Sequence, residues 1–292
     1  MNQKTFIAFA FLGLIWGTNF LFMHQASRWI SPLQIVFLRV LFGFLPILAL
    51  ACWHRVFRRQ HLRHAHHFVV MALLATVIYY WAFASGTSLL LSGISGVLSG
   101  AIPLFSFIMA ALFLRQEPMQ KLQVVGIVLG FAGVLMIARP WAVSADSISL
   151  AGVGYMVLGS LSVGASFVYA RRFLAPLQLP ALALTSYQIG AALLILALVT
   201  PFSGLSAILH SPSASLGLVL GLGLLGTGVA YLIYYFLIQR LGAVTASSVT
   251  YIPPVVALVI GVVFAGEAVT AAELLSLVLI SAGVFLLQRR DL

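Results

Sequence analysis

The chain has 292 residues, of which 62% are hydrophobic and 7% charged, with a formal net charge of +10 at pH 7. So few polar residues cannot cover a globule in water, and apolar runs long enough to cross about 30 Å of hydrocarbon recur throughout, which excludes a soluble protein. The positive charge does not point to nucleic acid, because the basic residues lie in short connections between apolar runs and form no stripe that could follow a phosphate backbone.

Ten apolar segments are predicted, near 5–25, 33–53, 68–88, 92–114, 121–138, 150–170, 180–201, 215–238, 243–265 and 271–288. The first follows Lys4 but lacks the small-x-small cleavage site of a signal peptide and carries Trp16, Gly17 and Asn19, so it reads as a retained helix. Asn19 is the only asparagine apart from Asn2 and falls mid-segment beside Trp16 and Phe20. An amide at that depth needs a hydrogen bond across the bundle or a polar ligand, and the two readings stand level.

The second segment holds Arg39, the one full charge inside an apolar run. It lies about six residues, roughly 9 Å, from the outer end. Burying it costs about 2.5–3.5 kcal/mol on insertion scales. It is either a holder of a substrate carboxylate or, the preferred reading, a structural charge satisfied by Glu267 or by carbonyls near the outer face. Cys52, in the same run, reads as an inert core thiol. The connection that follows carries four arginines and the cluster His61, His64, His66 and His67. That spacing fits a basic loop at lipid headgroups better than a zinc site.

The third segment carries Tyr79, Tyr80, Trp81 and Phe83; the eighth carries Tyr231, Tyr234 and Tyr235. Some of these rings should line a central space and others should form an interfacial belt. Between them begins a stretch that the chain writes twice. At an offset of 150 positions, Leu91–Arg139 falls on Leu241–Arg289. Ile102-Pro103 then meets Ile252-Pro253, Glu117 meets Glu267, and Ala132-Gly133-Val134 meets Ala282-Gly283-Val284. The twin prolines Pro103 and Pro253 sit mid-segment, each deleting a backbone hydrogen bond, and their recurrence suggests hinges. Helices three and eight correspond under this repeat, so their tyrosines should flank the same space.

Loop charges orient the chain. With both termini inside, twelve Lys and Arg fall on the inner side and two, Arg28 and Arg139, on the outer. Five helices per copy is odd, so the second copy enters from the opposite side, which gives inverted repeats, the arrangement that supports alternating access. The domains expected are 1–140 (helices 1–5) and 150–292 (helices 6–10), joined by an external linker at 141–149. Small-residue pairs at Gly13/Gly17, Gly96/Gly100, Gly126/Gly130 and Gly217/Gly221 favour a compact bundle and leave a homodimer open.

No paired intramembrane carboxylates, phosphate loop or nucleophile triad can be read, so no enzyme, cofactor or metal is expected. With no carboxylate at membrane depth, movement down the substrate's own gradient is the expected mode. Recognition is expected to rest on Asn19 and tyrosine hydroxyls for a zwitterion, with Trp16, Phe20, Tyr79, Phe83 and Tyr234 against an apolar side chain.

Across both halves the chain resembles the EamA-type members of the drug/metabolite transporter superfamily. The resemblance is carried by Gly13-Leu-Ile-Trp-Gly17, Pro32 with Leu38-Arg39, Ile102-Pro103, Leu114-Arg-Gln-Glu117 and Leu129-Gly-Phe-Ala-Gly-Val134. It continues in Arg240-Leu-Gly-Ala243, Ile252-Pro253 and Gly266-Glu267. It implies an all-α integral membrane protein of ten transmembrane helices in two inverted five-helix repeats, with a central cavity. It further implies export of small metabolites from a bacterium across the inner membrane, amino acids and aromatic ones being usual cargo. The helix-1 glutamate of the related small multidrug resistance proteins is absent here, so proton-coupled cation export is not implied. A multidrug or other metabolite exporter with proton coupling is the alternative within transport; a membrane scaffold or enzyme is the alternative outside it. The partners expected are a small-molecule substrate and membrane lipids, and no nucleic acid.

Overall fold

The computed structural model describes residues 3–113, 121–138, 148–242, 246–266 and 268–288, and these contain helices and no strand. Seven helices are long and apolar enough to cross a membrane. They are α1 (Gln3–Ser27), α2 (Pro32–Trp53), α3 (Arg59–Leu89), α4 (Ser92–Phe113), α6 (Leu150–Leu177), α7 (Ala181–Val199) and α8 (Pro212–Leu241). Three shorter apolar helices complete the set: α5 (Lys121–Ala138), α9 (Ile252–Ala265) and α10 (Ala271–Gln288). The chain is a multi-pass membrane protein. Glu117, Glu267, Arg139 and Arg289, on which part of the repeat rests, lie outside the described residues.

Helix starts at the membrane edge are written by serine caps. Ser31 Oγ accepts from the Gln34 N–H at 3.4 Å while Gln34 Oε1 accepts from the Ser31 N–H at 2.9 Å, and Pro32 opens the helix. The Gln34 amide also donates to the carbonyls of Pro201 and Ser203, both at 2.8 Å, sewing the N-terminal end of α2 to the α7–α8 connection. Ser149 and Ser211 cap α6 and α8 in the same manner.

The principal packing partners are α1 with α9, α4 with α6, α2 with α8, α3 with α7, α3 with α6, α1 with α8, α4 with α9, α2 with α7 and α5 with α10. Moving every helix five places along, wrapping at ten, maps this set of pairs onto itself. Small residues permit the closest crossings. A Cβ on Gly13 would stand 2.5 Å from Ile252 Cβ, and one on Gly17 would stand 2.4 Å from Val256 Cβ, so α1 lies directly on the backbone of α9. All four small-residue pairs make such contacts within the chain: Gly96 meets Ala257, Gly283 meets Gly126 and Gly130, and Gly217 and Gly221 meet Phe22.

Several local readings need correction. The histidine-rich stretch is not a loop: Arg59–His64 is a 3₁₀ turn running into α-helix from Ala65. Its imidazoles find aromatic and hydroxyl partners, His61 Nδ1 at 3.2 Å from Tyr187 Oη and His67 Nδ1 at 2.7 Å from Tyr169 Oη. Helix α6 runs to Leu177, past Arg171 and Arg172, well beyond the expected end at 170. Cys52 is exposed rather than in the core, because an apolar run in a membrane helix has a lipid face as well as a buried one. Pro103 sits mid-span in α4 and Pro253 is the second residue of α9, each at the opening of a helical stretch. Helix α4 breaks at Gly100–Ala101 before Ile102–Phe113, and a 3₁₀ turn, Ser248–Tyr251, precedes Ile252-Pro253 in α9. Finally, α3 and α8 wind as π-helix over Leu73–Val77 and Gly217–Val229, twin regions at the 150-residue offset.

Candidate functional site

The interior of the bundle is a polar spot in an apolar body. Arg39 is 1% exposed and is carried there by the eighth residue of α2. Its Nε donates to Thr227 Oγ1 at 3.2 Å, one terminal nitrogen donates to the Gly226 carbonyl at 3.3 Å, and the other lies 3.7 Å from Met23 Sδ. The guanidinium carbon stands 3.5 Å from the centroid of the Tyr80 ring, within cation–π range. Tyr80 Oη donates to the same Gly226 carbonyl at 3.2 Å. Glu273, the only acidic side chain among the described residues, is elsewhere, accepting from the Thr270 N–H at the start of α10. Arg39 therefore has no ion pair among the described residues; of the expected partners, a carbonyl is present, and Glu267 lies outside the described residues.

The π winding of α8 supplies these acceptors. Thr227 Oγ1 donates to the Leu222 carbonyl at 2.8 Å, five residues back, as the wide turn requires. That leaves the hydroxyl's lone pairs toward Arg39. Gly226 has no alternative residue here, since a Cβ would lie 2.5 Å from Asn19 Oδ1 and 2.8 Å from the Gly221 carbonyl.

Arg39 shares a small cavity with Trp16, Asn19, Phe20 and Met23 of α1, Tyr79 and Phe83 of α3, Ser99 and Ile102 of α4, and Thr250 and Pro253 at the start of α9. Its water-accessible volume is only about 10 Å³, room for one water, so the centre is closed. The sequence-expected residues Trp16, Asn19, Phe20, Arg39, Tyr79, Phe83 and Pro253 are thus brought together. Two are set back. Tyr234 stands behind Trp16, 6.4 Å between centroids, and Pro103 lies one residue beyond the lining Ile102. Two buried polar atoms in this cavity wall have no hydrogen-bond partner, Trp16 Nε1 and Asn19 Oδ1.

Four tyrosine hydroxyls near the site are engaged within the protein. Tyr80 is committed to Gly226, Tyr234 to Ser166 Oγ at 3.0 Å, Tyr231 to the Ala75 carbonyl, and Tyr235 to Gln188 Oε1. Gln188 Nε2 in turn donates to Thr76 Oγ1 at 2.8 Å, which donates to Tyr231 Oη at 3.2 Å. This closed network joins α3, α7 and α8 on the α8 C-terminal side of Gly226. Ser99 and Thr250 had a readable signal, each being a small polar residue about one turn before a twin proline. Gly226 and Thr227, in a glycine-rich apolar run, had none. A larger hollow of about 690 Å³ lies between Arg171, Gln178, Gln239 and Arg240, but it is an open recess where α6, α7 and α8 end.

A sequence model described as the EamA-like transporter family matches residues 3–139 and again 150–289. The uncharacterized transporter YoaV of Bacillus subtilis (strain 168) is 24% identical over 286 residues, covering 97% of this chain and 96% of that protein. The uncharacterized inner membrane transporter YedA of Escherichia coli (strain K12) is 28% identical over 285 residues, covering 94% of this chain and 87% of that protein. One solved crystal structure superposes with a TM-score of 0.67 at 21% identity, over 99% of this chain and 97% of its own, which shows the shared fold alone.

Proposed function

The chain belongs to the EamA-like transporter family, and on that premise we propose that it exports amino acids, aromatic and other bulky ones included, or similar small metabolites. It is a membrane transporter. The observation that carries the finer reading is the closed central cavity, walled by Trp16, Phe20, Tyr79 and Phe83 and provided with a few buried polar groups. Apolar walls with sparse polar anchors suit bulky solutes and discriminate little among them.

The mechanism we assign is alternating access between two inverted five-helix repeats, residues 1–140 and 150–292. Three observations support it. The packing pairs map onto themselves when the helices are shifted by five, the family model matches twice, and a helix break in α4 and a 3₁₀ turn ahead of α9 come just before the twin prolines. The loop-charge asymmetry supports both termini inside, and the similarity to the inner membrane transporter YedA supports the inner membrane.

Movement is facilitated, down the substrate's own gradient. Liposomes containing the purified protein should show saturable counterflow of L-phenylalanine and related amino acids, without accumulation when only a proton gradient is imposed. Absence of any amino-acid flux, together with proton-driven uptake of a cationic dye, would replace this reading with a multidrug one.

A further inference from the structure

Arg39 is an expensive residue to keep where it is, and its surroundings do not explain it as a structural charge. A cation at this depth costs several kcal/mol unless paired, and its partners among the described residues are all neutral. The Gly226 carbonyl is shared with Tyr80, the Thr227 hydroxyl is an uncharged acceptor at 3.2 Å, and the third contact is a thioether at 3.7 Å. A guanidinium has five N–H donors, so at least two are unmatched by these three contacts, and the group forms part of the cavity lining. The Tyr80 face holds the plane of the fork. A flat fork with spare donors in a buried pocket is complementary to a carboxylate, which accepts two parallel hydrogen bonds.

The second unexplained feature lies in the same wall. Trp16 Nε1 is a buried donor without an acceptor and Asn19 Oδ1 a buried acceptor without a donor. Natural interiors leave few such groups, and each one asks for a partner. A fixed cation, a spare donor and a spare acceptor around one small cavity form the complement of a carboxylate with a neighbouring ammonium.

We propose that Arg39 is the substrate-selecting charge of this transporter. In the empty protein it rests on Gly226 and Thr227, and a substrate carboxylate takes over its free and weakly used donors while Asn19 Oδ1 accepts from an adjacent ammonium. The cavity therefore admits carboxylate-bearing solutes and refuses amines that lack one. This rests on the transport reading above and narrows it from small metabolites in general to acids and zwitterions. Holding α2 to α8 through Arg39 also gives the bound anion a structural effect, since it competes for the contact that joins those helices.

The test is calorimetric binding to the full chain in detergent micelles. The probes are L-phenylalanine, 3-phenylpropionate (no ammonium) and phenethylamine (no carboxylate), followed by the remaining amino acids with their amine and acid counterparts. The acids and amino acids are expected to bind, and the amines to bind about 10–100-fold more weakly, the loss of one charge-assisted contact. Arg39→Gln should erase the preference for acid over amine; Arg39→Lys should keep it at reduced affinity. Should Arg39→Gln fail to fold, the Arg39→Lys variant and the wild-type comparison still decide. Phenethylamine binding as tightly as L-phenylalanine, an acid preference that survives in Arg39→Gln, or no binding by any carboxylate in the panel would each overturn the inference. The two readings fail separately. Amino-acid flux without a carboxylate preference leaves the transporter and removes this role for Arg39, whereas Arg39-dependent binding of plain acids without amino-acid flux does the reverse.

Discussion

The guanidinium of Arg39 lies over the ring of Tyr80, 3.5 Å from its centroid, and both side chains donate to one carbonyl, that of Gly226. The ring and the hydroxyl can be tested apart. Tyr80→Phe keeps the ring and removes one hydrogen bond, an expected loss of about 1 kcal/mol in stability. Tyr80→Leu also removes the cation–π contact and should cost about 1–2 kcal/mol more. Thermal unfolding of the purified protein in detergent measures both. Equal losses for the two variants would mean that the ring does not hold the charge.

Asn19 and Trp16 face the same cavity with unpaired polar atoms, but their substitutions should act differently. Asn19→Ala is expected to weaken every amino-acid substrate by about 1–3 kcal/mol, because each shares the same backbone. Trp16→Ala should penalise bulky substrates more than small ones. Gly226→Ala, whose new Cβ would crowd Asn19 Oδ1 at 2.5 Å and the Gly221 carbonyl at 2.8 Å, should instead lower folded yield. If Asn19→Ala lowers folded yield with affinity intact, the amide is a packing group.

The helix breaks before Pro103 and Pro253 set up a kinetic prediction. Pro103→Ala or Pro253→Ala permits the helix to continue through the break and should slow turnover while leaving equilibrium binding within about threefold. Stopped-flow counterflow beside equilibrium dialysis would separate the two quantities. Unchanged turnover in both variants would make the prolines packing features.

Orientation can be read chemically. In a Cys52→Ser background, needed because that thiol is exposed, a Gln60→Cys protein should label from the cytoplasmic side and a His210→Cys protein from the opposite side. Labelling of both positions from one side would remove the inverted arrangement of the two halves.

Much of this architecture could be read from the chain, for a physical reason. A polar or charged residue inside an apolar run has few acceptable surroundings in a membrane protein, so Arg39, Asn19 and Trp16 converged on the bundle interior. What could not be read was which neutral group each would meet. Gly226 serves Arg39 through its backbone carbonyl, and a backbone atom leaves no mark in composition. The Thr76–Gln188–Tyr235 network was missed because each member is an isolated polar residue whose partner lies on another helix. Cys52 was misplaced because hydrophobicity is the same signal for a lipid face and a protein core.

The π winding of α8 over Gly217–Val229 bears on how this chain could change in length. Every residue of an α-helix turns the chain by about 100°, so removing one residue between 217 and 229 would rotate all that follows by about that amount. Tyr231, Tyr234 and Tyr235, all now buried, would swing off their present partners together, and Thr227 would leave Arg39. The exposed part of the α7–α8 connection at 204–206, beyond the carbonyls that Gln34 holds, can gain or lose residues with little effect on the bundle. Helix α8 cannot, and indels in this lineage should fall on the former and spare the latter.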